Sequence, residues 1–241
     1  MANGIVIIPT YNEIENIENI IRAVFSLNIE FHLLIVDDNS PDKTSNKVIE
    51  LQLEFPDRLF LKVRKKKSGL GTAYVHGFKW ALEKEYEFIF EMDADFSHNP
   101  NDLEKLYLEC KDNGADVAIG SRYVTGVNVV NWPLSRVLLS YFASVYVRVI
   151  TGMKIMDATA GFICYRRVVL ETIKLDRVKF IGYAFQIEMK YRAFAKNFKI
   201  QEVPVIFTDR TKGQSKMSGS IIKEAVFGVV SLRIRKLFNR L

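Results

Sequence analysis

Two aspartates, Asp93 and Asp95, follow the apolar run Phe88–Met92. Carboxylates two residues apart at a fraying strand end can turn toward a common point. Two hard oxygen ligands beside open positions suit Mg2+ or Mn2+, which then bridge to water and substrate phosphate oxygens. The bland alternative is a solvated turn in which Asp93 caps the next helix or pairs with a lysine. A second acidic pair, Asp37-Asp38, follows the run Leu33–Val36. Between these runs, Arg64-Lys65-Lys66-Lys67 leads into Ser68-Gly69-Leu70-Gly71. Cations and a glycine turn at a helix start favour a phosphate, whereas a solvated charge run with an ordinary N-cap needs no ligand.

The string IVDDNS also fits the acidic pocket of a signalling receiver domain. That reading needs a phosphoacceptor aspartate one strand later, where this chain has Arg64–Lys67. An aspartate here better suits hydrogen bonds from the base or ribose of a nucleotide. The stretch 134–150 is apolar nearly all round, and Arg136, Ser140, Ser144 and Arg148 recur along it every four residues. Such a stripe suits an anion held against an apolar surface. The alternative is a core helix whose arginines pair with acids elsewhere. The histidines, His32, His76 and His98, have no acidic neighbour in sequence that would build a nucleophile triad.

These groups need a frame. Apolar runs at Ile5–Ile8, Leu33–Val36, Leu59–Val63, Phe88–Met92 and Val117–Ile119 read as strands buried on both faces. Helical stretches lie between them at about 13–27, 43–54, 70–84 and 100–113. Strand–helix alternation predicts an α/β fold with a mostly parallel central sheet and helices on both faces. In such sheets ligands collect beyond the carboxyl ends of the strands, where the acidic pairs and Gly120-Ser121-Arg122-Tyr123 all fall.

Composition narrows the classes. The 241 residues carry 34 Lys and Arg against 28 Asp and Glu, a net charge of +6, with 49% hydrophobic residues. That is a globular composition, not a disordered one. The charge is uneven: residues 210–241 hold eight basic groups and one acid, leaving the rest at −1. Two well-separated cysteines, Cys110 and Cys164, argue against a disulfide scaffold or a cysteine zinc site and for a reducing compartment. The start of the chain has no signal-peptide pattern, and no uncharged apolar run reaches the ~18 residues of a spanning helix. The expected organisation is a body at 1–207, a mobile polar loop at 208–219 and a basic helix at 220–241. Ala225–Leu232 is apolar all round and is followed by Arg233, Arg235, Lys236 and Arg240. A helix dipping into a membrane interface with snorkelling arginines fits that order, as does a helix packed on the body with a solvated basic end. The basic groups come without a nucleic-acid-binding motif, so no nucleic acid partner is expected.

PTYNE at 9–13, VDDNSPD at 36–42, GLGTAY at 69–74, DADFSHNP at 93–100, GSRY at 120–123 and the WPxSRxxxS pattern from Trp132 to Ser140 stand in order. Together they resemble the dolichol-phosphate (polyprenyl-phosphate) mannosyltransferases of glycosyltransferase family 2, over about residues 5–216. The resemblance implies a Rossmann-like, A-type nucleotide-sugar fold with a C-terminal interfacial helix. It implies inverting transfer of mannose from GDP-mannose to a polyprenyl monophosphate, with Mg2+ or Mn2+. By position, Pro9, Tyr11, Glu13, Val36, Asp38, Gly71 and Asp93 would hold the nucleotide sugar, and Asp93 and Asp95 the metal. Arg122, Arg136, Ser140, Arg210 and Lys216 would grip the lipid phosphate, and Asp95, Arg122 and Arg210 would carry catalysis. Ser97 departs from the Gln that some members use as a third metal contact; a hydroxyl is a poorer ligand, and water can take its place. The QxxRW string of processive polysaccharide synthases is missing at Gln186–Lys190, which disfavours polymerisation.

The implied location is cytoplasmic, peripheral on the cytoplasmic face of a membrane, with a small anchoring subunit as a possible partner. Two other readings share these residues. One is a polyprenyl-phosphate glucosyltransferase, or a transferase using another nucleotide sugar. The other is a non-catalytic nucleotide-binding subunit recruited to a membrane, for which the full set of Asp93, Asp95, Arg122 and Arg136 would be superfluous.

Overall fold

The computed structural model describes residues 3–182, 184–209 and 219–238. The proposed loop residues Arg210 and Lys216 lie outside them, so their assignments rest on the resemblance alone. Strands β1 (Gly4–Thr10), β2 (His32–Asp37), β3 (Leu59–Val63), β4 (Phe88–Glu91) and β5 (Val117–Ser121) fall on the expected runs. Helices α1 (Ile17–Phe25), α2 (Thr44–Glu54), α3 (Leu70–Glu83) and α4 (Asp102–Lys111) connect them. Then come β6 (Val129–Val130), α5 (Leu134–Thr151), β7 (Ile163–Arg166), α6 (Arg167–Thr172), α7 (Ala184–Ala195), β8 (Ile200–Pro204), β9 (Phe207–Thr208) and α8 (Gly219–Leu237).

The central sheet has the order β3-β2-β1-β4-β7-β5-β8. Its pairings are parallel except at β7, which runs antiparallel to both β4 and β5. On β1, Ile5 and Ile7 feed one apolar layer with α3, α7 and α8, while Val6 and Ile8 feed the other with α1, α2 and α4. Continuous apolar runs follow from this double cover. The exception is β3: it is an edge strand, and Lys62 and Val63 are exposed. Its run is therefore not buried on both faces as its composition suggested.

Turn chemistry sets the strand ends. Asp42 Oδ1 accepts from Thr44 N at 3.0 Å and Thr44 Oγ1 at 2.6 Å, opening α2 after Lys43 in the left-handed region (φ 68°). Gly152 (φ 75°) ends α5, where a side chain would be strained. By length and mean hydropathy (1.3) α5 reaches what a spanning helix needs, and 17% of it is buried. It is not an uncharged run, because Arg136 and Arg148 lie within it.

Candidate active site

The carboxyl ends of β1 and β2 bring the PTYNE and VDDNS strings together. Pro9 lies beside Val36 and Thr10 beside Asp37 across the β1–β2 pair, and Asp38 N donates to Thr10 O at 3.0 Å. The two aspartates have different employment. Asp37 is buried and accepts from Thr10 Oγ1 (2.9 Å), Ser40 N (2.8 Å) and Ser40 Oγ (2.6 Å), so it builds the turn. Asp38 takes Arg64 side-on, Nε at 2.5 Å and Nη2 at 2.7 Å. Asn12 N donates to Ser40 Oγ and Glu13 N to Thr44 Oγ1, tying the first strand end to the second. Glu13 Oε2 accepts from Asn16 Nδ2, and Lys67 Nζ sits 4.4 Å from the centre of the Tyr11 ring. Val36 is enclosed in the core, so any nucleotide contact from it would be through its backbone.

The turn at 68–71 is more occupied than its sequence suggested. Gly71 N donates to Ile181 O at 2.9 Å. A Cβ at Gly71 would stand 2.7 Å from the Phe185 ring and 2.8 Å from Phe180 O. Glycine is required there because Phe180, Ile181 and Phe185 pack against the start of α3. The amides at this helix start therefore serve the protein at Gly71, and Arg64, one of the four cations, is committed to Asp38.

Asp93 and Asp95 lie past β4. Asp95 Oδ1 accepts from Ser97 N at 3.1 Å, and Tyr74 Oη lies 3.5 Å from Asp93 Oδ1. Phe96, at φ 60°, carries the turn through the left-handed region. Asp93 N donates to His98 Nδ1 at 3.1 Å. The His98 ring is buried and stacks on Phe162, centroids 4.8 Å apart and 9° between planes. Burial depresses His98 to about 4, with the Asp95 charge opposing. The imidazole is thus neutral at pH 7, and a neutral ring is what can accept the Asp93 amide. Among the described residues no three His, Cys, Asp or Glu side chains converge on one point. Two carboxylates in a short turn fit an ion that takes one or two protein carboxylates and fills its shell from water and phosphate.

Behind this turn lies a buried polar group that sequence reasoning missed. Glu91, the last residue of β4, is enclosed and accepts a short hydrogen bond from Gln186 Nε2. Lys190, one helical turn along α7, is also enclosed and donates to Ala160 O (2.5 Å) and Gln186 O (3.2 Å). Burial pushes Glu91 up to about 7 and Lys190 down to about 8, each partly offset by the other's charge. Nothing local marks these residues: a charged residue in an apolar strand and one in a helix look like surface positions until the sheet is covered.

On the far side, Arg122 follows β5 and is nearly buried. Its Nε and Nη2 each lie 2.6 Å from an Asp157 oxygen, its backbone N donates to Asp157 Oδ2 at 3.0 Å, and Nη2 also donates to Thr159 Oγ1 at 2.9 Å. Arg136 stacks 4.0 Å over the Trp132 ring and donates to Asp209 Oδ1 at 2.8 Å. The Arg122 guanidinium lies 5.4 Å from the same ring, so one indole joins both arginines. Ser140 lies beside the phenol of Tyr123. The polar stripe on α5 does not act as one surface, however: Ser144 is buried, and Arg148 turns to Met156. The reading in which these arginines find acids elsewhere holds for Arg136 and Asp209.

The family model for Glycosyl transferase family 2 matches residues 5–174. This chain belongs to glycosyl transferase family 2. A polyprenol monophosphomannose synthase of Mycolicibacterium smegmatis is 49% identical over 98% of this chain and 89% of its own. An undecaprenyl-phosphate mannosyltransferase of Micrococcus luteus is 43% identical over 92% and 90%. A dolichol-phosphate mannosyltransferase of Pyrococcus furiosus is 37% identical over 91% of this chain, which spans 60% of that longer protein. Among solved structures, a glucosyl-3-phosphoglycerate synthase of Mycobacterium tuberculosis superposes with a TM-score of 0.67 at 16% identity, over 97% of this chain and 79% of its own. A mannosyltransferase of Pyrobaculum calidifontis in complex with GDP-Man and Mn2+ gives 0.59 at 16%, over 99% and 72%. These two share the fold of this family 2 chain, the A-type arrangement that its motifs implied.

Proposed function

We propose that this family 2 chain transfers mannose from GDP-mannose to a polyprenyl monophosphate, with inversion at the anomeric carbon. The observation that carries the reading is near-full-length likeness to two bacterial enzymes named for mannosyl transfer to polyprenyl phosphates. The geometry is compatible with it. Pro9, Tyr11, Glu13 and Asp38 stand at one end of the carboxyl edge and suit the guanosine. Arg122 and Arg136, joined through Trp132, suit the lipid phosphate.

A phosphomonoester is largely ionised near pH 7, because its second pKa is about 6. The nucleophile needs no protein base, which agrees with a neutral His98 engaged by a backbone amide. The chain has two tasks. Arg122 and Arg136 reduce the repulsion between two approaching anions, and the walls orient the phosphate in line with the anomeric carbon. Asp93 and Asp95 would hold Mg2+ or Mn2+, whose charge stabilises the departing diphosphate. Arg210 and Lys216, assigned by resemblance, would complete the phosphate grip. The reaction is a single displacement without a covalent enzyme intermediate.

A membrane surface is the proposed setting, on the cytoplasmic face and with or without a small anchoring subunit. Phe142 on α5 is 61% exposed and Phe227 on α8 is 74% exposed. The two helices pack together, with Tyr146 Oη donating to Val226 O at 2.9 Å, and Leu138, Leu139, Val230 and Ile234 are exposed too. Gly228, Val229 and Leu232 are buried, so α8 packs on the body and keeps an apolar face as well. Purified protein with Mg2+ or Mn2+ and a short polyprenyl phosphate, offered GDP-mannose and UDP-glucose in parallel, tests the function. Mannose transfer that vanishes in Asp95→Asn is expected. Transfer from UDP-glucose alone, retained configuration or a trapped mannosyl-enzyme would refute it.

A further inference from the structure

Arg122 is held in a way that a phosphate contact alone does not require. A guanidinium has five N–H donors in a fixed fork. Asp157 takes the Nε–Nη2 edge of Arg122 at 2.6 Å on both arms and also accepts the Arg122 backbone amide. Thr159 Oγ1 takes a further Nη2 donor at 2.9 Å. Asp157 is itself fixed from a neighbouring strand: Glu202 on β8 accepts from Met156 N at 2.6 Å and from Asp157 N at 2.8 Å. Glu202 lies beside Ile119 on β5, three residues before Arg122. A closed circuit therefore runs from β5 through Arg122, Asp157 and Glu202 and back to β5.

Two features argue that the circuit serves position. Asp157 is wholly buried and Arg122 nearly so. A buried ion pair contributes little net stability, since the lost hydration offsets the attraction. What it does supply is a single orientation for a planar cation. The rings of Tyr123 (5.3 Å), Trp132 (5.4 Å) and Phe207 (5.4 Å) surround the same guanidinium. Asp157 and Thr159 together take the Nε and Nη2 donors and so fix the plane of the guanidinium. Arg122 is thereby held in one pose.

We propose that Asp157, backed by Glu202, is a positioning residue that fixes Arg122 for the acceptor phosphate. This rests on the acceptor-site reading given above. Asp157→Asn keeps the shape but loses the charge and turns one oxygen into a donor facing Nη2. With GDP-mannose and Mn2+, the KM for a short polyprenyl phosphate should rise about tenfold or more, while the KM for GDP-mannose stays within about twofold. In an Arg122→Ala background, Asp157→Asn should add nothing further to the acceptor KM, because its effect passes through Arg122.

Fold loss, which would change all parameters together, is read by circular dichroism. If Asp157→Asn does not fold, Thr159→Val and Glu202→Gln are tested in the same assay, and each should shift the acceptor KM alone. An unchanged acceptor KM in the folded variants, equal shifts for donor and acceptor, or additive losses on Arg122→Ala would overturn the proposal. Absence of any transfer by the unaltered protein to polyprenyl phosphate would instead overturn the function on which it rests.

Discussion

Lys190→Met would remove a cation buried directly behind the Asp93 turn. The ammonium donates to Ala160 O and Gln186 O; Glu91, Asp157 and Glu202 hold its charge in place, and Arg122 opposes it. Removing one member of a buried pair costs about 3–5 kcal/mol. Here the low end, about 3 kcal/mol at pH 7, is expected, because Glu91 already sits near 7 and can take a proton at little cost. The loss should depend on pH. Glu91 is raised in the fold, so its contribution is full below its unfolded value and fades as pH rises toward about 7. Lys190 and the Gln186 hydrogen bond hold it down, while burial and Asp93 raise it. Without Lys190 the carboxyl keeps its proton to higher pH, so the variant goes on losing up to about 1.4 kcal/mol per unit above 7. Lys190 itself is lowered to about 8, so the unaltered protein gains stability as pH rises above that value and the variant does not. Both effects widen the gap with rising pH. Urea unfolding of the two proteins near pH 6, 7 and 8.5, followed by tryptophan fluorescence, reads it. A loss that does not change over that range, or one under about 1 kcal/mol at pH 7, would refute the account of this pair.

Three further outcomes are expected. Gly71→Ala places a methyl 2.7 Å from the Phe185 ring and 2.8 Å from the Phe180 carbonyl; it should cost about 1–3 kcal/mol and lower the Tm. His98→Phe keeps the ring stacked on Phe162 but leaves Asp93 N without its acceptor, so the Mn2+ concentration for half-maximal activity should rise at least several-fold while the fold persists. Phe142→Ser combined with Phe227→Ser should weaken flotation with anionic vesicles while leaving turnover of a short, soluble polyprenyl phosphate near the original value; undiminished flotation would remove α5 and α8 from the membrane reading.

Sequence reading located the five leading strands and the four helices between them, because apolar period and helix-start residues are local. It put α1 and α4 too long at their starts, where turns such as Asn99–Asn101 absorb residues before the first helical turn. The antiparallel β7 was beyond it, since strand direction is set by where the chain returns and not by composition.

The chemistry divides in the same way. The sequence alone determined the families of residues at the carboxyl edge: the acidic pair at 93 and 95, the cations at 64–67 and the arginines at 122 and 136. Side-chain type and short-range spacing suffice for that, because charge and ligand hardness belong to single residues. Only the tertiary structure decided which of them are already employed. Asp38 pairs with Arg64, Arg122 with Asp157 and Arg136 with Asp209, across 26, 35 and 73 positions of sequence. It alone enclosed Glu91 and Lys190, placed 99 positions apart, beneath the Asp93 turn. The physical reason is that pairing and burial depend on distance through space and on the removal of water, and the covered sheet determines both.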